Sequence, residues 1–249
     1  MRARIVLFFA GLLFAASASS AADNYDNAVA HAGRSDADIK RDKLDHPADV
    51  LRFSGIKPGM TVADFMAAEG YYSELISYVV GDKGHVLLIN NPGYDAFSEG
   101  KWKDRIEQHH LKNVEHMVVD TDHMGLKENS LDAIFLIKAY HDLYWVSPKD
   151  GWNKIDVSSV LDQLQHALKP GGVIVVEDHS AKPGTGSADA GTLHRIDEQF
   201  ARKDFESHGF KFVKSSDIFR RPDDKRDLIS YKGPALGKTD RWLYLFSKP

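Results

Sequence analysis

The sequence predicts an α/β fold in which a mostly parallel, seven-stranded sheet carries helices on both faces. Strand and helix patterns alternate from residue 61 to residue 246, as in sheets built from right-handed strand–helix–strand crossovers. The run LDAIFLIKA at residues 131–139 is nearly all apolar, which is typical of a strand covered on both faces. Apolar residues from Val157 to Leu168 follow the helical period and stop at the turn sequence KPGG of residues 169–172.

The remaining elements follow from the same two periodicities and from Pro/Gly turns. The first strand follows the turn GIKPGM at residues 55–60, and the first helix ends at the turn GDKG of residues 81–84. The predicted strands cover residues 61–66, 85–90, 114–120, 131–139, 172–178, 210–213 and 242–246. The predicted helices cover residues 70–80, 101–110, 157–168 and 194–208.

The first 22 residues have the pattern of a secretory signal peptide. Arg2 and Arg4 precede an apolar run of 12 residues, and small residues end possible cleavage sites at Ala18 and Ala22. The run is short for a bilayer span, although an uncleaved anchor is the alternative. We therefore expect an exported, periplasmic protein with no stable membrane insertion after cleavage. Residues 23–49 form a polar N-terminal helical extension, and residues 50–249 form the main domain.

Composition excludes several classes of function. The 32 Lys and Arg residues against 36 Asp and Glu give a net charge of −4, so there is no basic excess for nucleic-acid binding. The absence of cysteine rules out disulfides, thiolate metal sites and a cysteine nucleophile. The 12 histidines show no closely spaced ligand motif, so no metal site is predicted. Convergence on zinc is an alternative for His141, Asp178, His179 and His194.

Five phrases in order resemble the class I methyltransferases, which use S-adenosylmethionine. They are GIKPGMTVAD, GYYSELIS, GDKGHVLLIN, ENSLDAIFLIKAYHDL and ALKPGGVIVVEDH, and with the C-terminal phrases the resemblance covers residues 47–249. HRIDEQFARKDFESHGFKFV and GKTDRWLYLFSKP are similar to a smaller group of exported, predicted methyltransferases. The resemblance implies a Rossmann-like, doubly wound sheet, S-adenosylmethionine as cofactor and a small-molecule substrate.

The cofactor loop departs from the family pattern, an acidic and an apolar residue followed by G-x-G-x-G. Aligned on Asp64, Met66 and Ala68 stand at the first two glycine positions, and only Gly70 is kept. Glycines there adopt backbone angles that other residues resist. We expect either that Glu69 replaces the ligand's carboxylate at the following helix or that it points to solvent. The resemblance assigns cofactor binding to Asp64, Met66, Ala68, Gly70, Asn90 (ribose) and Asp120 (adenine).

Candidate residues for chemistry lie where ligands bind in open α/β sheets, beyond the carboxyl ends of the strands. His141 follows the fourth strand and is the candidate general base, because a histidine can accept a proton near neutral pH. A purely structural hydrogen bond is the alternative for His141. The predicted substrate pocket consists of Tyr71, Tyr72, Tyr140, Asp178 and His179.

Two functions from different classes follow. The first is an S-adenosylmethionine-dependent methyltransferase that acts on an unidentified small molecule in the cell envelope. The second is a non-catalytic binding protein with the same fold, which has lost the cofactor and holds another small ligand. The altered loop favours the second, and the length of the resemblance favours the first. The oligomeric state does not follow from the sequence.

Overall fold

A computed structural model describes residues 19–150 and 152–249 of the chain. Residues 1–18, which hold most of the predicted signal peptide, lie outside the described residues, and the first helix begins at Ser19. The strands are β1 (Thr61–Phe65), β2 (His85–Asn90), β3 (Val114–Val118), β4 (Leu131–Ile137), β5 (Leu168–His179), β6 (Lys211–Ser216) and β7 (Arg241–Ser247). The helices are α1 (Ser19–Val29), α2 (Asp36–Asp45), α3 (Pro47–Ser54), α4 (Tyr71–Val80), α5 (Pro92–Phe97), α6 (Lys101–Gln108), α7 (Val157–Ala167), α8 (Ala190–Leu193) and α9 (Glu198–Ser207).

The seven strands form one mixed sheet in the order β3-β2-β1-β4-β5-β7-β6. The first five strands run parallel to their neighbours, while β7 pairs antiparallel with both β5 and β6. Strand order reverses between β1 and β4, where a ligand crevice is expected in such sheets. The predicted α/β fold with its mostly parallel, seven-stranded sheet is confirmed.

Each face of the sheet is covered by its own apolar core, because successive side chains of a strand point to opposite faces. Ile134 and Leu136 of β4 belong to one core, which also contains Leu164 of α7 and Phe205 of α9. Phe135 between them belongs to the other core, with residues of α1, α3 and α4. Strand β4 is therefore buried on both faces, as its near-continuous apolar sequence predicts.

Helices α1 and α3 pack on the second core, and α2 ends beside Lys138, which follows β4. Ser35 caps α2 by accepting a hydrogen bond from the backbone N–H of Asp38, 3.1 Å away. His46 then adopts a left-handed conformation, so that α3 leaves α2 at a new angle. Among the helices of the described residues, none has both the length and the apolar character needed to cross a bilayer.

Two predicted elements differ from the structure. The helix predicted over residues 194–208 begins only at Glu198, because Asp197 caps α9 and Ile196 forms a parallel bridge with Ser180. The turn predicted at residues 169–172 lies inside β5, which begins at Leu168 and contains a register shift opposite β4. A helix that was not predicted, α5, is capped by the side chain of Asn91. These differences follow from tertiary pairing and capping, which outweigh local periodicity.

Candidate functional site

A cavity of about 640 Å³ lies at the carboxyl ends of β1, β4 and β5, where the strand order reverses. Its volume falls within the range of roughly 300–1,000 Å³ that is typical of small-molecule sites. Of the residues predicted to form the site, those that line the cavity are Asp64, Met66, Ala68, Tyr71, Tyr72, His141 and His179. Residues from the ends of three strands and the start of α4 thus meet in one place.

The loop after β1 has a left-handed backbone at three alternate positions. Met66, Ala68 and Gly70 have φ angles of 57°, 52° and 78°, all in the left-handed region that glycine adopts most readily. The Met66 side chain is buried in the core beside the sheet and is 3% exposed. At Gly70 a β-carbon would lie 2.6 Å from Leu88 Cδ1, so a side chain there would displace Leu88 in addition to adopting the left-handed φ. Two of the three left-handed positions are therefore occupied by residues other than glycine.

Asp64 at the end of β1 is buried and accepts a hydrogen bond from the Ser73 hydroxyl at 2.7 Å. Burial raises the pKa of Asp64 to about 6, although the bonds from Ser73 act in the opposite direction. Because Asp64 also lines the cavity, a cationic ligand group close to it would favour its ionised form.

The predicted ribose and adenine acceptors do not line the cavity. Both amide atoms of Asn90 bond the backbone of Ala68, which leaves the side chain inside the protein. Asp120 lies at an exposed turn, where Oδ1 accepts a hydrogen bond from the N–H of Asp122. Glu69 lines the cavity and pairs with Lys101 at 3.0 Å, and no side chain caps α4, so Glu69 does not take the place of a ligand carboxylate at that helix.

Asp178 holds His141 on the side of the ring that faces away from the cavity. The Nδ1–H of His141 donates to Asp178 Oδ1 at 2.7 Å, and the backbone N–H of His141 donates to Asp178 Oδ2 at 2.8 Å. Asp178 is fully buried and does not line the cavity. The other ring nitrogen of His141, Nε2, lies 3.2 Å from His194 Nδ1 and 3.2 Å from Asp142 Oδ1. Asp178 therefore positions the ring, while Nε2 remains for the cavity side.

The two histidines at the strand ends have opposite ionisation tendencies. Burial alone would lower the pKa of His141, but the carboxylates of Asp142 and Asp178 outweigh it and raise that pKa well above its ordinary value of 6.5. Burial and the nearby positive charges hold the pKa of His179 well below 6.5. Without a bound ligand the two carboxylates thus favour the protonated form of His141, and its role as a general base stays a prediction.

Tyr140 points away from the cavity. Its side chain is fully buried, and its hydroxyl donates to Asp204 of α9 and lies 3.2 Å from the hydroxyl of Tyr144. The residue that sequence reasoning placed in the substrate pocket therefore ties the end of β4 to α9. Tyr71 and Tyr72 do line the cavity, and the guanidinium of Arg41 lies 3.8 Å from the centre of the Tyr71 ring.

A network of charges joins the N-terminal helix α2 to the ends of β4 and β7. Asp45 bonds Lys138 at 2.7 Å, Arg241 at 2.9 Å and Arg41 at 2.7 Å. Burial would raise the pKa of Asp45, but these three cations hold it well below its ordinary value. All four residues line the cavity. Helix α2 is therefore part of the wall of the site.

The cavity wall contains buried polar atoms that lack a hydrogen-bond partner among the residues described. They include the hydroxyls of Tyr72 and Ser230. Buried polar groups in folded proteins are nearly always paired with protein, water or ligand. Around the same cavity, large apolar side chains are exposed: Phe97 (67%), Leu236 (62%), Tyr231 (51%) and Leu44 (49%). The cavity thus has polar atoms without hydrogen-bond partners in its interior and apolar side chains at its rim.

Sequence reasoning missed several residues of the wall. Arg41 and Asp45 lie in a segment that shows no motif, and Arg241 lies about 200 positions away along the chain. Lys138 carried a usable signal, because it is a charged residue in an otherwise apolar strand sequence. It adopts a left-handed φ of 56°, and non-glycine residues in this conformation often occur at functional sites. Further lining residues without a predicted role are Tyr94, Ile137 and Thr239.

Comparisons with known proteins agree with this architecture. A methyltransferase from Aquifex aeolicus that depends on S-adenosylmethionine superposes with a TM-score of 0.59 at 21% identity, covering 85% of this chain and 98% of that one. The chain has the fold of the class I methyltransferases. The [4+2]-cyclase SpnF superposes with a TM-score of 0.62 at 14% identity, covering 90% of this chain and 92% of that one. The shared fold by itself does not determine the reaction.

Sequence comparison gives relatives of one kind. The ubiquinone/menaquinone biosynthesis C-methyltransferase UbiE of Shewanella oneidensis is 27% identical over 131 residues. The match covers 52% of this chain and 47% of that protein, so the chain spans about half the length of the curated relatives it matches. No protein-family profile matches the chain.

S-adenosylmethionine fits one part of the cavity better than the other. The loop of residues 66–70 has the left-handed backbone needed for close approach, Met66 is packed into the core, and Asp64 faces the cavity. The unpartnered Tyr72 hydroxyl is a donor available to a ligand. On the ribose and adenine side, Asn90 and Asp120 supply nothing to the cavity. The residues present therefore fit the amino-acid and sulfonium end of the cofactor.

Proposed function

We propose that the protein is an S-adenosylmethionine-dependent methyltransferase that acts on a small molecule in the cell envelope. The observation that carries this proposal is the loop after β1, in which Met66, Ala68 and Gly70 share left-handed φ angles beside a ligand-sized cavity. Such angles are costly for Met and Ala, so their retention supports a functional requirement for this backbone course. The pattern of residues 1–22 supports the location in the envelope.

The cofactor supplies the methyl group when bound, and residues around β1 would hold it. Asp64, the loop of residues 66–70 and Tyr72 are the residues we assign to this part of the site. Methyl transfer needs an acceptor atom aligned with the donor, and a general base is not obligatory. The protein's contribution is then to orient the acceptor and to exclude water. The ends of β4 and β5, with His141 and His179, form the wall on which we place the acceptor.

The acceptor we propose has an apolar body and a polar reacting end. The exposed rim formed by Phe97, Leu236, Tyr231 and Leu44 matches the apolar part. The buried histidines match the polar end. The matched UbiE proteins are, by their name, C-methyltransferases of ubiquinone and menaquinone biosynthesis, and we include quinone-type molecules among the proposed acceptors.

A titration with S-adenosylmethionine and S-adenosylhomocysteine by calorimetry tests the proposal. We expect one site per chain with micromolar affinity for both ligands. The Asp64→Ala variant removes the acidic group at the cofactor end and should bind the cationic donor more weakly. A matched control is Asp82→Ala, which changes an exposed aspartate in the turn after α4. A folded wild-type protein that binds neither ligand would overturn the transferase proposal.

A second candidate function is supported by the contacts of Asn90 and the position of Asp120. Because neither side chain faces the cavity, the ribose and adenine acceptors of the family pattern are absent from its wall. A binding protein that holds another small ligand would need neither the ribose acceptor nor the adenine acceptor. A thermal-shift screen of small molecules, with no response to S-adenosylmethionine and a rise in melting temperature with another compound, would favour this function.

A further inference from the structure

Three side chains of the cavity wall bring one ligand atom each within 3.3 Å of the others. His141 Nε2 lies 3.2 Å from His194 Nδ1 and 3.2 Å from Asp142 Oδ1, and His194 Nδ1 lies 3.3 Å from Asp142 Oδ1. In a tetrahedral zinc site with bonds of about 2.0–2.2 Å, neighbouring ligand atoms lie about 3.3–3.6 Å apart. The three atoms therefore have nearly the spacing of one face of such a tetrahedron.

Hydrogen bonds alone do not satisfy this cluster. Since His141 donates its Nδ1–H to Asp178, its Nε2 carries at most one proton. His194 Nδ1 likewise carries at most one proton. If both nitrogens donate to Asp142 Oδ1, which belongs to a residue that is 7% exposed, the two N–H groups face each other at 3.2 Å without a bond. A cation between the three atoms would be bound by all of them.

The surrounding contacts are those that accompany metal ligands. Metal-binding histidines almost always donate their second ring N–H to a carboxylate or carbonyl, and Asp178 provides such a carboxylate for His141. The Tyr94 hydroxyl donates to Asp142 Oδ2 at 2.6 Å, which fixes the carboxylate and leaves Oδ1 on the side of the histidines. His194 adopts a left-handed φ of 49° at the end of α8, a strained conformation for a residue that lines the cavity.

We propose that His141, Asp142 and His194 bind one divalent transition-metal ion of the zinc type. Two imidazole nitrogens and one carboxylate oxygen suit such ions, whereas Mg²⁺ and Ca²⁺ prefer sites made of oxygen atoms. All three residues line the cavity, so the fourth coordination position is directed to a ligand or water inside it. The metal site is an addition to the proposed methyltransferase, because the ion would act as a Lewis acid and bind an oxygen atom of the methyl acceptor.

Calorimetric titration of the chelator-treated protein, prepared without a polyhistidine tag, with Zn²⁺ tests the site. We expect one Zn²⁺ per chain, no response to Mg²⁺, and intense visible absorption of a four-coordinate ion when Co²⁺ replaces Zn²⁺. The His194→Ala variant changes a partly exposed loop residue and should weaken Zn²⁺ binding by more than about 100-fold, beyond the effect of losing an outer contact. The control His123→Ala alters an exposed histidine elsewhere and should leave binding unchanged.

The Asp178→Asn variant separates positioning from ligation. All three ligands remain, but His141 loses its carboxylate partner, and we expect a loss of about 10–100-fold in Zn²⁺ affinity. Absence of Zn²⁺ binding by the folded wild-type protein, or equal binding by wild type and His194→Ala, would overturn the metal site. No methyl donor enters these titrations. Their outcome is therefore independent of the outcome of the S-adenosylmethionine titration.

Discussion

The side chain of Asn90 forms hydrogen bonds to both sides of Ala68. Its Oδ1 accepts the N–H of Ala68 at 2.8 Å, and its Nδ2 donates to the carbonyl oxygen of Ala68 at 3.1 Å. Asn90 is fully buried at the end of β2, and Ala68 lies in the loop after β1 with a left-handed φ of 52°. The amide of Asn90 therefore holds a strained loop residue in place from the neighbouring strand.

Asn90→Ala removes both hydrogen bonds and leaves the peptide groups of Ala68 unsatisfied. We expect the free energy of unfolding to fall by about 2–4 kcal/mol, because two polar groups lose their partners inside the protein. Urea unfolding followed by circular dichroism measures the change. The exposed Asn153→Ala is the control and should change stability by less than about 0.5 kcal/mol. Equal stabilities of the two variants would show that the bonds to Ala68 do not hold the loop.

Ala68→Gly should stabilise the protein. Glycine adopts φ of 52° without a steric penalty, so we expect a gain of about 0.5–1 kcal/mol even though glycine increases the entropy of the unfolded chain. The neighbouring Ala67, whose φ is not in the left-handed region, provides the matched control. Ala67→Gly should lower stability by about 0.5–1 kcal/mol. Thermal unfolding of both variants compares the signs, and a destabilised Ala68→Gly would contradict backbone strain at this position.

Because Asp64 is buried, its ionisation should lower the free energy of unfolding as the pH rises. Because burial raises its folded pKa from 3.8 to about 6, the folded chain keeps a proton that the unfolded chain has lost between these values. The contribution is lost as the pH rises from about 4 to 6, and it amounts to about 3 kcal/mol. Asp64→Asn cannot ionise. Its stability relative to wild type should therefore increase from pH 4 to pH 7, as measured by urea unfolding at several pH values. A pH-independent difference would show that Asp64 ionises normally.

Asp45→Asn should loosen the N-terminal helices. The substitution leaves Lys138, Arg41 and Arg241 without their common carboxylate, and we expect a loss of about 3–5 kcal/mol. Hydrogen exchange of the α2 amides should increase at the same time. Asp36→Asn, at the exposed first turn of the same helix, is the control and should cost less than about 1 kcal/mol. Similar exchange in both variants would show that the charges do not anchor α2.

Local patterns in the sequence were sufficient for the fold. Apolar periodicity and Pro/Gly turns are short-range signals, and they indicated the seven strands and a mostly parallel sheet. The site depended on contacts between distant residues. Asp45 meets Lys138 across 93 positions, and no pattern near either residue indicates this contact. Asn90 stands at the end of the predicted strand, but only the folded loop shows that its amide turns towards Ala68.

The sequence also did not predict the left-handed backbone conformation of His194. A histidine two positions from Ile196 fits a helical pattern, and the helix was predicted to start there. The pairing of Ile196 with Ser180 keeps the helix from beginning at His194. It places His194 opposite His141 instead. The sequence showed which residue types were available for chemistry. It could not show that Asp142 rather than Asp178 completes the group around the two histidines.

The bond between Arg241 and Asp45 joins residues 196 positions apart. Contacts of such long range form late during folding, because the intervening chain must first be ordered. The wall that Asp45 and Arg241 share is thus completed only after the final strand has been added to the sheet. A nascent or truncated chain that lacks β7 would lack Arg241 and so one of the cations that hold α2 against the sheet.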